Sequence, residues 1–81
     1  MAVEFVSPND PAVDVERKIH FYLDNGVQEV WVFYLETRHV QVWRPGSIRE
    51  LTASDTLSTD LIPGFSLPLQ SYFEEIFPKE S

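Results

Sequence analysis

Val30-Trp31-Val32-Phe33-Tyr34-Leu35 is a run of six apolar or aromatic residues with no polar interruption. An alternating strand would leave one face to water; this one leaves neither, and it predicts a central strand covered on both sides. Two covering layers must therefore come from a chain of 81 residues. A chain of that size buries only ~60% of the surface it exposes when unfolded. One domain is the most it can hold, and cover for the central strand is its scarcest resource.

The flanking segments supply the remaining elements. Ala2-Val3-Glu4-Phe5-Val6 is a short β-prone run carrying one acid, closed by the turn chemistry of Ser7-Pro8-Asn9-Asp10-Pro11. The same turn opens a helix. Asn9 or Asp10 is placed to cap it, and Pro11 suits the first helical position because its missing N–H would be unpaired there. Val15, Ile19, Tyr22 and Leu23 follow at helical spacing, and Asn25-Gly26 supplies a left-handed stop, so the helix is predicted over 11–24. After the central run, Glu36-Thr37-Arg38 predicts a hairpin turn into His39–Trp43, an alternating strand. Pro45-Gly46 turns the chain again into a third antiparallel strand over Ile48–Leu51, with a further short strand near Asp55–Ser58. Ile62-Pro63-Gly64-Phe65 reads as a loop. Leu69, Phe73, Ile76 and Phe77 give a short helical stripe before the polar end Lys79-Glu80-Ser81. The fold class expected is mixed α/β: a parallel pair across the long helix, an antiparallel meander and a short C-terminal helix. Cover from one long and one short helix is thin. Either a partner chain completes the core or the chain is part of something larger.

Composition excludes several functions. The absence of cysteine removes disulfides, thiolate zinc sites and a cysteine nucleophile. A formal net charge of −7 repels phosphate backbones over most of the surface. No apolar run approaches a membrane span and the N-terminus lacks a basic leader, so the expected location is cytoplasmic. His20 and His39 share no metal-ligand spacing. Ser7 has no histidine and acid beside it and reads as a turn residue. Trp31 and Trp43 read as core or cross-strand packing rather than a platform for bases.

Four segments, in order, carry a resemblance: Val3-Glu4-Phe5-Val6-Ser7-Pro8-Asn9-Asp10; Lys18 with Tyr22, Gly26 and Val30-Trp31-Val32; Val40-Gln41-Val42-Trp43-Arg44-Pro45-Gly46; and Leu61-Ile62-Pro63-Gly64-Phe65-Ser66-Leu67-Pro68. Together they resemble the Uma-two family of putative restriction endonucleases in the PD-(D/E)XK nuclease superfamily, over about residues 2–73. The resemblance implies a restriction-endonuclease-like mixed sheet and a single partial domain over 1–81. It implies a Mg²⁺-dependent reaction on DNA, with Glu4 at the acidic metal-ligand position and Lys18 as the lysine, carried on the helix rather than two residues after the acid. Family members are roughly twice as long, and the half absent here carries the aspartate of the "PD" element. The acid that ends the central strand in the family is replaced by Tyr34-Leu35.

Hydrolysis of a phosphodiester calls for a hard cation held by carboxylates, and for a positive group near the developing oxyanion. Glu4 is one ligand, and no second carboxylate stands at a corresponding position, although Asp14 lies within reach of the same helix end. Plainer readings stand beside these. Glu4 suits a solvated strand edge, and Asp14 with Lys18 forms a favourable i, i+4 helix pair. The expectation is a chain inactive by itself, completed by self-association or by a missing N-terminal half; the alternative is a small self-associating module built on a nuclease core.

Overall fold

The computed structural model describes residues 1–76. Phe77, the last residue of the expected helical stripe, and the polar end at Lys79-Glu80-Ser81 lie outside them. The elements run β1 (Ala2–Val6), α1 (Ala12–Asp24), β2 (Val30–Tyr34), β3 (His39–Arg44), β4 (Ser47–Thr52), β5 (Thr56–Ser58), β6 (Ser66–Pro68) and α2 (Leu69–Ile76). The main sheet has the order β1-β2-β3-β4, and β5 and β6 form a separate two-stranded sheet. β1 pairs parallel with β2, Glu4 opposite Val32. β2, β3 and β4 follow as an antiparallel meander, with Val30 opposite Trp43 and Arg44 opposite Ser47. The mixed α+β class and the direction of every pairing in the main sheet match the sequence expectation.

Side-chain alternation divides the core in two. On one face Val30 and Val32 meet Val15 and Ile19 of α1, and three of the four are fully buried. On the other face Trp31, Phe33, Val40 and Val42 meet Leu57, Leu69 and Phe73. Burying a side chain such as Ile19 or Phe73 stabilises the fold by roughly 1.5–3 kcal/mol. The cover that helices alone could not give comes partly from the second sheet, whose Leu57 is wholly buried. β6 was not expected: a three-residue strand containing a proline carries almost no local signal. Trp31 and Trp43 do pack as core, but on opposite faces of the sheet rather than against each other.

Two helix-end details differ from expectation in an informative way. Pro11 is the N-cap, not the first helical residue, and no side chain caps α1. Asp10 is engaged elsewhere: its carboxylate accepts the Ser7 backbone N–H at 3.0 Å and the Ser7 hydroxyl at 3.3 Å, closing the preceding turn. At the other end the stop behaves as read. Gly26 takes φ +92°, and the amides of Val27 and Gly26 return to the carbonyls of Tyr22 and Leu23, the paired bonds of a Schellman motif.

The molecule is flat. Its radius of gyration is 13.0 Å, against about 11.5 Å for a compact domain of this length. β1 lies at one edge of the main sheet, and on the face away from α1 its Val3 and Phe5 are 44% and 51% exposed. α2 reaches only as far as β2, where Phe33 contacts Tyr72 and Phe73. Among the described residues nothing pairs with the outer edge of β1.

Candidate functional site

β1 and α1 are joined by a tight turn, so the helix doubles back across the strand it follows. That brings residues of α1 over Glu4, whose side chain points to the α1 face of the sheet together with Ala2 and Val6. The Tyr22 hydroxyl donates to Glu4 Oε1 at 2.6 Å. Lys18 Nζ stands 4.0 Å from Glu4 Oε2. Tyr22 and Lys18 are four residues apart, so they lie on neighbouring turns of one helix face and grip the two oxygens of one carboxylate. The hydrogen bond from Tyr22 to Glu4, helped by the carboxylate's charge and by burial, raises the tyrosine hydroxyl above its ordinary value of 10.0.

Glu4 is only 21% exposed and Lys18 is 64% exposed. The lysine is the solvated half of the pair. The two open onto a cleft of about 580 Å³ between β1 and α1, also lined by Asp10, Asp14, Phe21 and Tyr22. The structure thus brings together both predicted residues from positions far apart in the chain. It corrects two readings: Glu4 is not a freely solvated edge acid, and Lys18 does not pair with Asp14, which instead sits 3.6 Å from Arg17.

The acids around the cleft are differently committed. Asp10 is tied to Ser7, and Asp14 to Arg17. Among the described residues no group of three or more His, Asp or Glu side chains converges as a cation site. Glu4 is a single candidate ligand with one oxygen already accepting from Tyr22, and the described residues do not fit a Mg²⁺ site held by several protein carboxylates.

A second acid carries no local signal in the sequence. Glu29, just before β2, is 1% exposed and fully used. It accepts Trp31 Nε1–H at 2.8 Å and Arg44 Nε–H at 2.7 Å. Arg44 also reaches Asp60 and, at 3.5 Å, the Thr59 hydroxyl, tying the loop after β5 to the main sheet. Burial alone would push the Glu29 carboxyl up, but hydrogen bonds from Thr59, Arg44 and Trp31 outweigh it and hold it below its ordinary value. The signal was in the register. Pairing Val30 with Trp43 sets Glu29 opposite Arg44 one step further along the hairpin.

The histidines have structural surroundings. His39 stacks on Tyr34 with ring centroids 4.5 Å apart and lies 3.4 Å from Glu50, while His20 meets the edge of Trp43. No helix among the described residues is long and apolar enough to cross a membrane.

A β-α-β start with a meander behind it makes this a mixed α+β domain, with an acid of the first strand facing a lysine of the helix. The comparisons supply the family. The model of the Uma2 family, described as "Putative restriction endonuclease", matches residues 1–70, and the chain belongs to that family. No curated relative matches by sequence. Among solved structures, the chain is similar to a putative nuclease of the DUF820 group from Anabaena variabilis, with a TM-score of 0.78 at 20% identity. That likeness covers 89% of this chain and 42% of the other, so the chain spans less than half the length of its structural neighbour.

Proposed function

We propose that the cleft holding Glu4, Lys18 and Tyr22 is one part of a phosphodiester-cleaving site, and that the chain as a monomer does not cleave DNA. The observation that supports this reading is the Lys18–Glu4 approach of 4.0 Å in an open cleft. An ammonium beside a carboxylate on rigid elements is the arrangement that can take a phosphate oxygen and steady the charge that develops on it. Tyr22 orients the carboxylate, and Lys18, being exposed, is the group able to meet a phosphate. Among the described residues, no cluster of further acids joins Glu4. Membership of the family supplies DNA as the substrate class, with Mg²⁺ as the ion that a completed site would hold.

The test is plasmid nicking with Mg²⁺ or Mn²⁺ at protein concentrations where sedimentation shows a monomer. The wild-type chain is expected to leave supercoiled plasmid intact. Metal-dependent nicking that disappears in both Glu4→Gln and Lys18→Ala would overturn the reading.

A second reading, a self-associating module built on the nuclease core, is favoured by one specific observation: the unpaired outer edge of β1 beside exposed Val3 and Phe5. An open edge with apolar neighbours is a template for another strand.

A further inference from the structure

We propose that the hollow beside Arg44 and Arg49 is a binding site for a phosphoryl group, and that the Asp60 carboxylate occupies that site in the free chain. The hollow lies on the face of the main sheet away from α1. The inference therefore does not rest on the reading of the Glu4 cleft.

The register of the β3–β4 hairpin builds the site. Arg49 stands opposite Val42, and Ser47 opposite Arg44. Val42 packs in the core cluster with Leu57 of the second sheet, so Arg44, Ser47 and Arg49 all project to that face. Arg44 and Arg49 are diagonal neighbours across the strand pair, about 7–8 Å apart, which lets two long side chains meet one ligand. They border an open hollow of about 800 Å³, with Ser58 and Asp60 across from them and Phe65 as an apolar wall. Phe65 is held in place against Trp31, with ring centroids 5.3 Å apart.

The two guanidiniums are used differently. Arg44 gives its Nε–H to the buried Glu29 at 2.7 Å, which fixes the plane of the group. Its Nη2 turns outward to Asp60 and, at 3.5 Å, to the Thr59 hydroxyl. Arg49 is exposed, and among the described residues its side chain has no hydrogen-bond or ion-pair partner. Asp60 thus answers one of the two charges and leaves the other open.

Asp60 is a replaceable occupant, 77% exposed on the loop after β5. Hydrogen bonding to Arg44, joined by the guanidinium charge, holds its carboxyl below the ordinary value, so this spot favours a negative group. A phosphoryl group carries more charge than a carboxylate and three strong acceptor oxygens. It can bridge both guanidiniums, whose planar forks suit its geometry, while Asp60 swings into water. The hydroxyls of Ser47 and Ser58 supply further donors. The net charge of −7 works against diffuse attraction of any anion, so binding here depends on this local pair. A phosphate of a nucleic-acid backbone and a free phosphate share the chemistry, and the test separates them.

Nuclear magnetic resonance on the full chain tests this, reading the side-chain Nε–H signals of Arg44 and Arg49 at constant ionic strength. Inorganic phosphate and a short DNA duplex are titrated separately, with chloride as the blank. One or both ligands are expected to shift the two signals saturably, and chloride is expected to leave them in place. Arg49→Ala is expected to weaken binding by about tenfold or more, since a charge-assisted contact is lost. Asp60→Asn removes the competing carboxylate and is expected to tighten binding by about threefold or more. Both positions are exposed, and an unchanged amide spectrum in each variant shows that the fold is kept. Glu75→Gln, exposed on α2, makes the same change in net charge away from the hollow and is expected to leave affinity unaltered. Saturation by duplex at a lower phosphate concentration than inorganic phosphate needs assigns the site to nucleic acid; the reverse assigns it to free phosphate. An Arg49 signal that neither ligand shifts, wild-type affinity in Arg49→Ala, or equal gains in Asp60→Asn and Glu75→Gln would each overturn the inference.

Discussion

Glu4 and Glu29 are both acids set at the edge of apolar strand sequence, and the fold treats them in opposite ways. Glu29 is 1% exposed and takes hydrogen bonds from Trp31, Arg44 and Thr59. Glu4 is 21% exposed, takes one hydrogen bond from Tyr22 and faces a loosely held lysine. A buried carboxylate with both oxygens taken by protein donors is closed to a ligand; it acts as a clamp between the main sheet and the loop after β5. A carboxylate with one oxygen held and the other facing a solvated cleft is fixed in place yet still available. Burial and partner count, rather than residue type, separate the structural acid from the one proposed to act.

The contrast predicts a graded series. Arg44→Ala should be the most damaging change, because it leaves the Glu29 charge buried without its partner, although the guanidinium itself is 39% exposed and water tempers the loss. It would appear as a large drop in the urea midpoint. A midpoint near wild type would mean that Glu29 is no clamp.

Acid should find the same clamp. The Glu29 carboxyl is held below its ordinary 4.5, so its contribution is complete above that value and is lost as pH falls through the lower folded one. Glu29→Gln should therefore be less stable at neutral pH and show a flatter loss of stability on acidification below 4.5. Urea midpoints measured across that range check both parts.

At the other acid the effects shrink. Tyr22→Phe removes one part-buried hydrogen bond and should cost about 0.5–1.5 kcal/mol. The hydroxyl of Tyr22 is raised above 10.0, so its contribution is present below that value and is lost as pH rises through the folded one. Spectrophotometric titration should show two tyrosines, Tyr22 and the partly buried Tyr34, ionising late in wild type, with one of them returning toward 10.0 in Glu4→Gln. Lys18→Ala should change thermal stability least of all, by no more than about 1 kcal/mol, since an exposed pair contributes little. A large loss there would make Lys18 a structural residue and weaken its assignment to the site.

Much of this was legible before any coordinates. The unbroken run at Val30–Tyr34 demanded a two-faced central strand, and the turns at Asn25-Gly26 and Pro45-Gly46 set the helix stop and the second hairpin. Glu4 and Lys18 were found through an ordered set of segments, and their meeting is a consequence of a helix folding back on its own strand. Tyr22 was noticed as part of that set, but its grip on Glu4 was not, because a tyrosine at helical spacing among apolar residues reads as core. Glu29 and Arg44 are 15 residues apart and were passed over, since only the hairpin register sets them face to face.

Local patterning, then, determined which segments became helix or strand, because hydrophobic period and turn chemistry act within a few residues. Tertiary structure decided which of two similar acids is sealed and which is open. That choice depends on which chemical groups converge from distant segments and on whether water can reach the space between them, and neither is encoded in any short window of the chain.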